Sequence, residues 1–258
     1  MFALIVGLAI ALVPNSQAAP VDVEPRVVNG TDADIRDFPY MVSVQFNGRH
    51  TCGGSIINRY NILTAAHCVT RDLANFTILP GSTSITSGTA VPVEKIIIHQ
   101  DYSGFMPLYH DIAIVQLVWP LRFNERVQPI RLPRTFDPIP ELAGAVLTGW
   151  GLNHTDGAVQ DILQKVDIIV YADAECEKLH SLSGPTNRIT HVCAGVPEGG
   201  RGQCNGDSGG PLVVDGTEIG IVSWSVKPCT VQGFPGVYVK VSSYIDWINC
   251  HLKRGNYP

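Results

Sequence analysis

The chain has 258 residues, 45% of them hydrophobic and only 16% charged, a composition that supports a packed core and excludes a disordered chain. A formal net charge of −5 excludes the strongly basic surface of a nucleic-acid binder. No apolar run reaches the ~20 residues that a membrane-spanning helix needs.

In chain order, Phe2 to Val13 is apolar and uncharged, then Pro14 and Asn15 break the run and small residues follow at Ser16, Ala18 and Ala19. That is the pattern of a secretory signal, expected over residues 1–18. Three sequons, beginning at Asn29, Asn75 and Asn153, suit an exported, extracellular chain. So do seven widely spaced cysteines, Cys52, Cys68, Cys176, Cys193, Cys204, Cys229 and Cys250. Without a C-x-x-C pair they read as disulfide partners rather than zinc ligands, their pairing left open by spacing alone.

Short runs rich in Val and Ile recur between turn residues: Met41–Phe46, Asn61–Leu63, Val91–Ile98, Ile112–Leu117, Gln164–Val170, Glu218–Trp224 and Gly236–Val241. They predict strands. No amphipathic helix of 10–15 residues alternates with them, which argues against βαβ units. Only Tyr244, Ile245, Ile248 and Leu252 recur at helical spacing. Ser243, three residues before Asp246, predicts a capping box there. The expected fold is all-β with a C-terminal α-helix.

Three segments carry chemistry: Leu63-Thr64-Ala65-Ala66-His67-Cys68, Asp111-Ile112-Ala113-Ile114-Val115 and Cys204-Asn205-Gly206-Asp207-Ser208-Gly209-Gly210-Pro211. A serine hydroxyl needs an adjacent base to become a nucleophile. His67 can supply that base, and Asp111 can fix its tautomer. The glycines around Ser208 allow a tight turn whose N–H groups are free for an oxyanion. Each segment alone has a plainer explanation, namely a packed histidine, a strand-end carboxylate and a turn. Their order, His then Asp then Ser, is what joins them.

With T-A-A-H-C, D-I-A-I-V, G-D-S-G-G-P, S-W and P-G-V-Y in sequence, the chain resembles the chymotrypsin-like (trypsin-family) serine endopeptidases from Arg26 to the terminal helix. The resemblance implies two six-stranded antiparallel β-barrels with the active site between them. It also implies a catalytic His67, Asp111 and Ser208, and an oxyanion hole from the N–H groups of Gly206 and Ser208. It pairs Cys52 with Cys68, Cys176 with Cys193 and Cys204 with Cys229. A further bridge of many relatives would fall at Ala145 and Val214, where neither cysteine is present. Cys250 is left unpaired, and burial is the expected state for such a thiol.

Arg26 before Val27-Val28-Asn29-Gly30 resembles the family's activation junction. It implies an activation propeptide at 19–26, a protease domain at 27–258, and a new Val27 ammonium that pairs with Asp207. The substrate pocket implied has Gly202 at its floor and Ser223, Ser225 and Gly236 along its walls. With no carboxylate at the floor, the expected cleavage follows large apolar residues: Phe, Tyr, Leu or Met. An elastase-like taste for small residues, and a non-catalytic homologue acting as a binding protein, are the alternatives. Expected partners are protein or peptide substrates, a trypsin-like activating protease and protein protease inhibitors; nucleic acid and membranes are not expected, and the chain is expected to be monomeric. His99, His110, His154, His180 and His191 lack ligand spacing, so no metal or cofactor is implied.

Overall fold

The computed structural model describes residues 27–253, so the expected signal, the propeptide and Arg26 lie outside the described residues. The strands, in chain order, are β1 (Thr31–Asp32), β2 (Met41–Phe46), β3 (Arg49–Ile56), β4 (Asn61–Thr64), β5 (Phe76–Pro80), β6 (Val91–Ile98), β7 (Ala113–Leu117), β8 (Gly144–Gly149), β9 (Gln164–Val170), β10 (His191–Gly195), β11 (Pro211–Val214), β12 (Thr217–Trp224) and β13 (Gly236–Lys240). Two short α-helices complete the set, α1 (Asp173–His180) and α2 (Ile245–His251).

Strands β2-β3-β4-β7-β6-β5 close an antiparallel barrel, and β9-β10-β13-β12-β11-β8 close a second through pairing of β8 with β9. The short β1 adds to β9. Closure leaves neither barrel with an open edge. Apolar and aromatic side chains fill each interior: Val42, Ile62, Ile78 and Ile114 in the first, Leu147, Ile168, Leu212 and Tyr238 in the second.

Most expected strands stand within a residue of their predicted limits. Six further strands, β1, β3, β5, β8, β10 and β11, and helix α1 had no expectation. Strand β3 contains Gly53 and Gly54, residues that weaken a strand interior, while β11 opens on Pro211, at a strand position that readily takes proline.

Two expectations about the C-terminus are corrected. Ser243 does not cap α2: it lies in the 3-10 turn Val241–Tyr244, and its hydroxyl donates to Ile189 O instead. Cys250 is exposed rather than buried. Helix α2 buries Ile245 and Ile248, and a residue two places beyond Ile248 points to the opposite face at ~100° per residue.

Candidate active site

Register brings the site together. Strand β4 runs antiparallel to β7, with Asn61 opposite Gln116 and Thr64 opposite Ala113. The exit of β4 and the entrance of β7 therefore share one end of the barrel. His67 lies in the 3-10 turn Ala66–Cys68 just past that exit, and Asp111 lies just before that entrance. In the second barrel Pro211 stands opposite Ile221. This places the Ser208 turn, before β11, beside Ser223 near the end of β12.

Asp111 is fully buried and accepts three hydrogen bonds. His67 N–H donates to Oδ1 at 2.9 Å, His67 Nδ1 to Oδ2 at 2.7 Å, and Ser223 Oγ to Oδ2 at 2.6 Å. A carboxylate with no exposed surface needs such donors. The bond to Nδ1 places the proton on that nitrogen, which leaves the Nε2 lone pair free. His67 Nε2 lies 3.8 Å from Cys68 Sγ. Cys52, His67 and Cys68 cluster within 4.8 Å, but both sulfurs are consumed in the Cys52–Cys68 disulfide, so the cluster offers one nitrogen rather than a metal-ligand set.

The Ser208 turn is docked directly on the other barrel. Gly53 N, on β3, donates to Ser208 O at 2.8 Å, while Gly209 N to Val222 O at 2.8 Å and Val222 N to Gly210 O at 2.9 Å tie the turn to β12 of its own barrel. Gly209 has φ +79°, and a Cβ there would stand 2.2 Å from Thr64 Oγ1 and 2.6 Å from Gly53 O. Only glycine meets both demands, the left-handed backbone and the contact with the strand leading to His67. The N–H groups of Gly206 and Ser208, and the Ser208 hydroxyl, form no hydrogen bond to any described residue.

Asp207 is fully buried beneath this turn, its carboxylate receiving Gly151 N at 2.8 Å and Cys204 N at 2.9 Å. Burial pushes its pKa up to about 7, against those two hydrogen bonds. Val27 is itself fully buried in the second barrel's core, and Val28 bridges Gly202. His50 spans the same region: its ring contacts Ser43 Oγ at 2.8 Å and Gly206 O at 3.0 Å. Burial lowers its pKa to about 4, so this ring is neutral at ordinary pH.

A cavity of about 170 Å³ opens beside Ser208, lined by Gln203, Asn205, Ser223, Ser225 and Lys227 among others. Gly202 and Gly236 do not line it. They line a residual void of about 10 Å³, which shares only Gln203 and Ser225 with the larger space. Sequence reasoning placed Gly202, Ser223, Ser225 and Gly236 around one pocket, and missed Gln203 and Lys227. Lys227 Nζ lies 3.1 Å from Cys229 Sγ, and partial desolvation lowers its pKa.

All three expected disulfides are present: Cys52–Cys68, Cys176–Cys193 and Cys204–Cys229. Ala145 and Val214 join one apolar cluster where a further bridge would otherwise fall.

Comparison with known proteins agrees with this architecture. The family model described as Trypsin matches residues 27–248. A trypsin from Phaedon cochleariae is 35% identical over 257 residues, covering 96% of this chain and 98% of its own length. The chain therefore belongs to the trypsin family of serine endopeptidases.

Proposed function

We propose that the chain is a secreted zymogen that, once cut after Arg26, hydrolyses peptide bonds through Ser208, His67 and Asp111. The observation that carries this reading is the fully buried Asp111 carboxylate fixing the His67 ring through Nδ1. His67 takes the Ser208 proton as Oγ attacks the scissile carbonyl carbon. The N–H groups of Gly206 and Ser208, unused by other described residues, receive the oxyanion. The intermediate collapses with the leaving amine taking the proton from His67. Water then repeats the sequence on the acyl-enzyme, which restores the serine hydroxyl. The Ser208–His67 hydrogen bond tightens only when substrate arrives, as is usual for catalytic contacts in unliganded enzymes.

Latency follows from Asp207. In the uncut chain its carboxylate is buried with two backbone donors and no cation bonded to it among the described residues. Cleavage after Arg26 would create an ammonium on Val27, whose side chain is already buried in the adjoining core. A buried pair of opposite charges is favourable only when both partners are present, so the new terminus would lock the loop carrying Gly206 and Ser208. A trypsin-like protease is the implied activator. Protein protease inhibitors that lay a strand along Ser223 and Ser225 are implied partners. Three disulfides and the apolar leader support export.

The substrate residue before the cut is uncharged, from the class Phe, Tyr, Leu and Met. Gly202 supplies no carboxylate, and the Lys227 ammonium on the cavity wall opposes an Arg or Lys side chain.

The test is direct. Purified precursor, before and after limited tryptic cleavage, is treated with a fluorophosphonate and assayed on peptide nitroanilides. Labelling at Ser208 and hydrolysis should appear only after cleavage. Both should be lost in Ser208→Ala, and hydrolysis should fall on the order of 10⁴-fold to 10⁶-fold in His67→Ala. A cut chain that neither labels nor hydrolyses would instead be a binding protein.

A further inference from the structure

The pocket beside Ser208 is divided by a side chain that the catalytic reading does not use. Gln203 is 4% exposed, and its Nε2 donates to Trp224 O at 2.6 Å, across the space between two walls. Its tip also presses on the far side. A Cβ at Gly236 would lie 2.8, 2.9 and 3.1 Å from Gln203 Nε2, Cδ and Cγ. The carboxamide is thus wedged between the Trp224 backbone and the Gly236 backbone. The side chain lines both the cavity of about 170 Å³ beside Ser208 and the void of about 10 Å³ that Gly202 and Gly236 also line. Its Oε1 is buried and accepts no hydrogen bond from any described residue. A buried acceptor left unpaired is costly, and such departures from good packing concentrate at functional positions.

From this we propose that Gln203 is the specificity-determining residue of the pocket, a transverse bar that admits Leu and Met before the cut and excludes Phe and Tyr. The inference rests on the peptidase reading above and narrows its substrate class. A planar ring must extend along the slot toward Gly202, into space the carboxamide occupies. Admitting it requires breaking the bond to Trp224 O and moving a side chain held on both flanks. Leu ends sooner, and Met bends to fit an irregular space. The open floor at Gly202 and Gly236, which in sequence suggests a deep pocket, is thereby cut off from the substrate.

The experiment uses the cut enzyme, with rates normalised to active sites titrated by fluorophosphonate. Peptide nitroanilides that differ only at the residue before the cut (Leu, Met, Phe, Tyr) give kcat/KM ratios. Leu and Met should exceed Phe and Tyr at least tenfold, within the range that apolar pockets achieve by shape. Gln203→Ser should raise the Phe:Leu ratio at least tenfold. Gln203→Met, which keeps the bulk and loses the amide, should leave that ratio within threefold of the parent. A parent that cleaves Phe as fast as Leu overturns the proposal, whatever the variants do. So does an unchanged Phe:Leu ratio in Gln203→Ser. In either case continued labelling of Ser208 and cleavage of the Leu peptide leave the peptidase reading intact. Loss of both in the parent would sink the two together.

Discussion

Glu218 offers a test of the barrel interface that is independent of catalysis. It stands on β12 with no exposed surface, and its one side-chain partner comes from the other barrel: Ser55 Oγ on β3 donates to Oε2 at 2.6 Å. Oε1 has no partner among the described residues. Burial pushes the Tyr40 phenol up, and the nearby Glu218 carboxylate pushes it further. Among the described residues no cation compensates the charge. Desolvation therefore raises the carboxyl pKa from 4.5 to about 8, the Ser55 hydrogen bond opposing only part of the shift.

The consequence for stability has a definite sign. Between pH 4.5 and pH 8 the unfolded chain ionises Glu218 while the folded chain keeps it protonated, so the folded state binds more protons and stability falls as pH rises. Each pH step costs ~1.36 kcal/mol, which amounts to about 3 kcal/mol by pH 7 and about 5 kcal/mol once pH passes the folded value. Glu218→Gln keeps the shape and removes the charge. Whatever constant offset the new amide introduces, the difference in stability between variant and parent should move by about 3 kcal/mol in the variant's favour from pH 4.5 to pH 7. For a domain of this size that corresponds to a relative melting shift of ~6–12 °C. Scanning calorimetry or urea titration in a Ser208→Ala background, where autolysis does not intrude, gives the comparison. Parallel stability–pH curves for parent and variant would refute the argument, because Asp207 and the histidines titrate identically in both and cancel.

Two further perturbations probe the turns that carry Ser208 and His67. Gly209→Ala places a Cβ 2.2 Å from Thr64 Oγ1 at φ +79°; overpacking and left-handed strain should together cost about 2–4 kcal/mol. The displaced nucleophile should lose about 10²-fold in kcat/KM per folded molecule, and an alanine variant with parental Tm and activity would show that the contact is not tight. Replacing Cys52 and Cys68 together by Ala opens a loop with a sequence separation of 16, worth about 3 kcal/mol in chain entropy. Thermal unfolding of the double variant should show that loss, and a change under ~1 kcal/mol would mean that the His67 turn is held by packing alone.

What could be read from sequence divides along a physical line. On the proposed reading, His67, Asp111 and Ser208 are legible because each would have to be presented by a particular backbone, which leaves a mark in adjacent residues: the alanines before His67, the glycines around Ser208. Strands such as β6 and β9 are legible because alternating Val and Ile record a half-buried surface. Strand β3 is not. Its Gly53 and Gly54 look like a turn, yet a Cβ at Gly53 would meet Gly210 Cα at 3.0 Å. The glycine serves the approach of the second barrel, a fact about tertiary structure that local propensity cannot express.

The same reasoning bears on the pocket. Gly202 and Gly236 advertise an open floor when each is considered in its own segment. The space they leave is taken by Gln203, whose direction depends on where Trp224 O and the Gly236 backbone come to rest. Glu218 is the parallel case: at the start of a predicted strand it looks like a solvated end, and only Ser55, from the other barrel, reveals a buried carboxyl. Both residues are polar side chains at places where separately folded sheets meet. A one-dimensional pattern reports which face of a strand is apolar, but it holds no information on what the neighbouring barrel presses against that face. Specificity and pH response in this protein are therefore expected to reside in Gln203 and Glu218, residues outside every motif, while the motifs themselves account for the chemistry shared by the whole family.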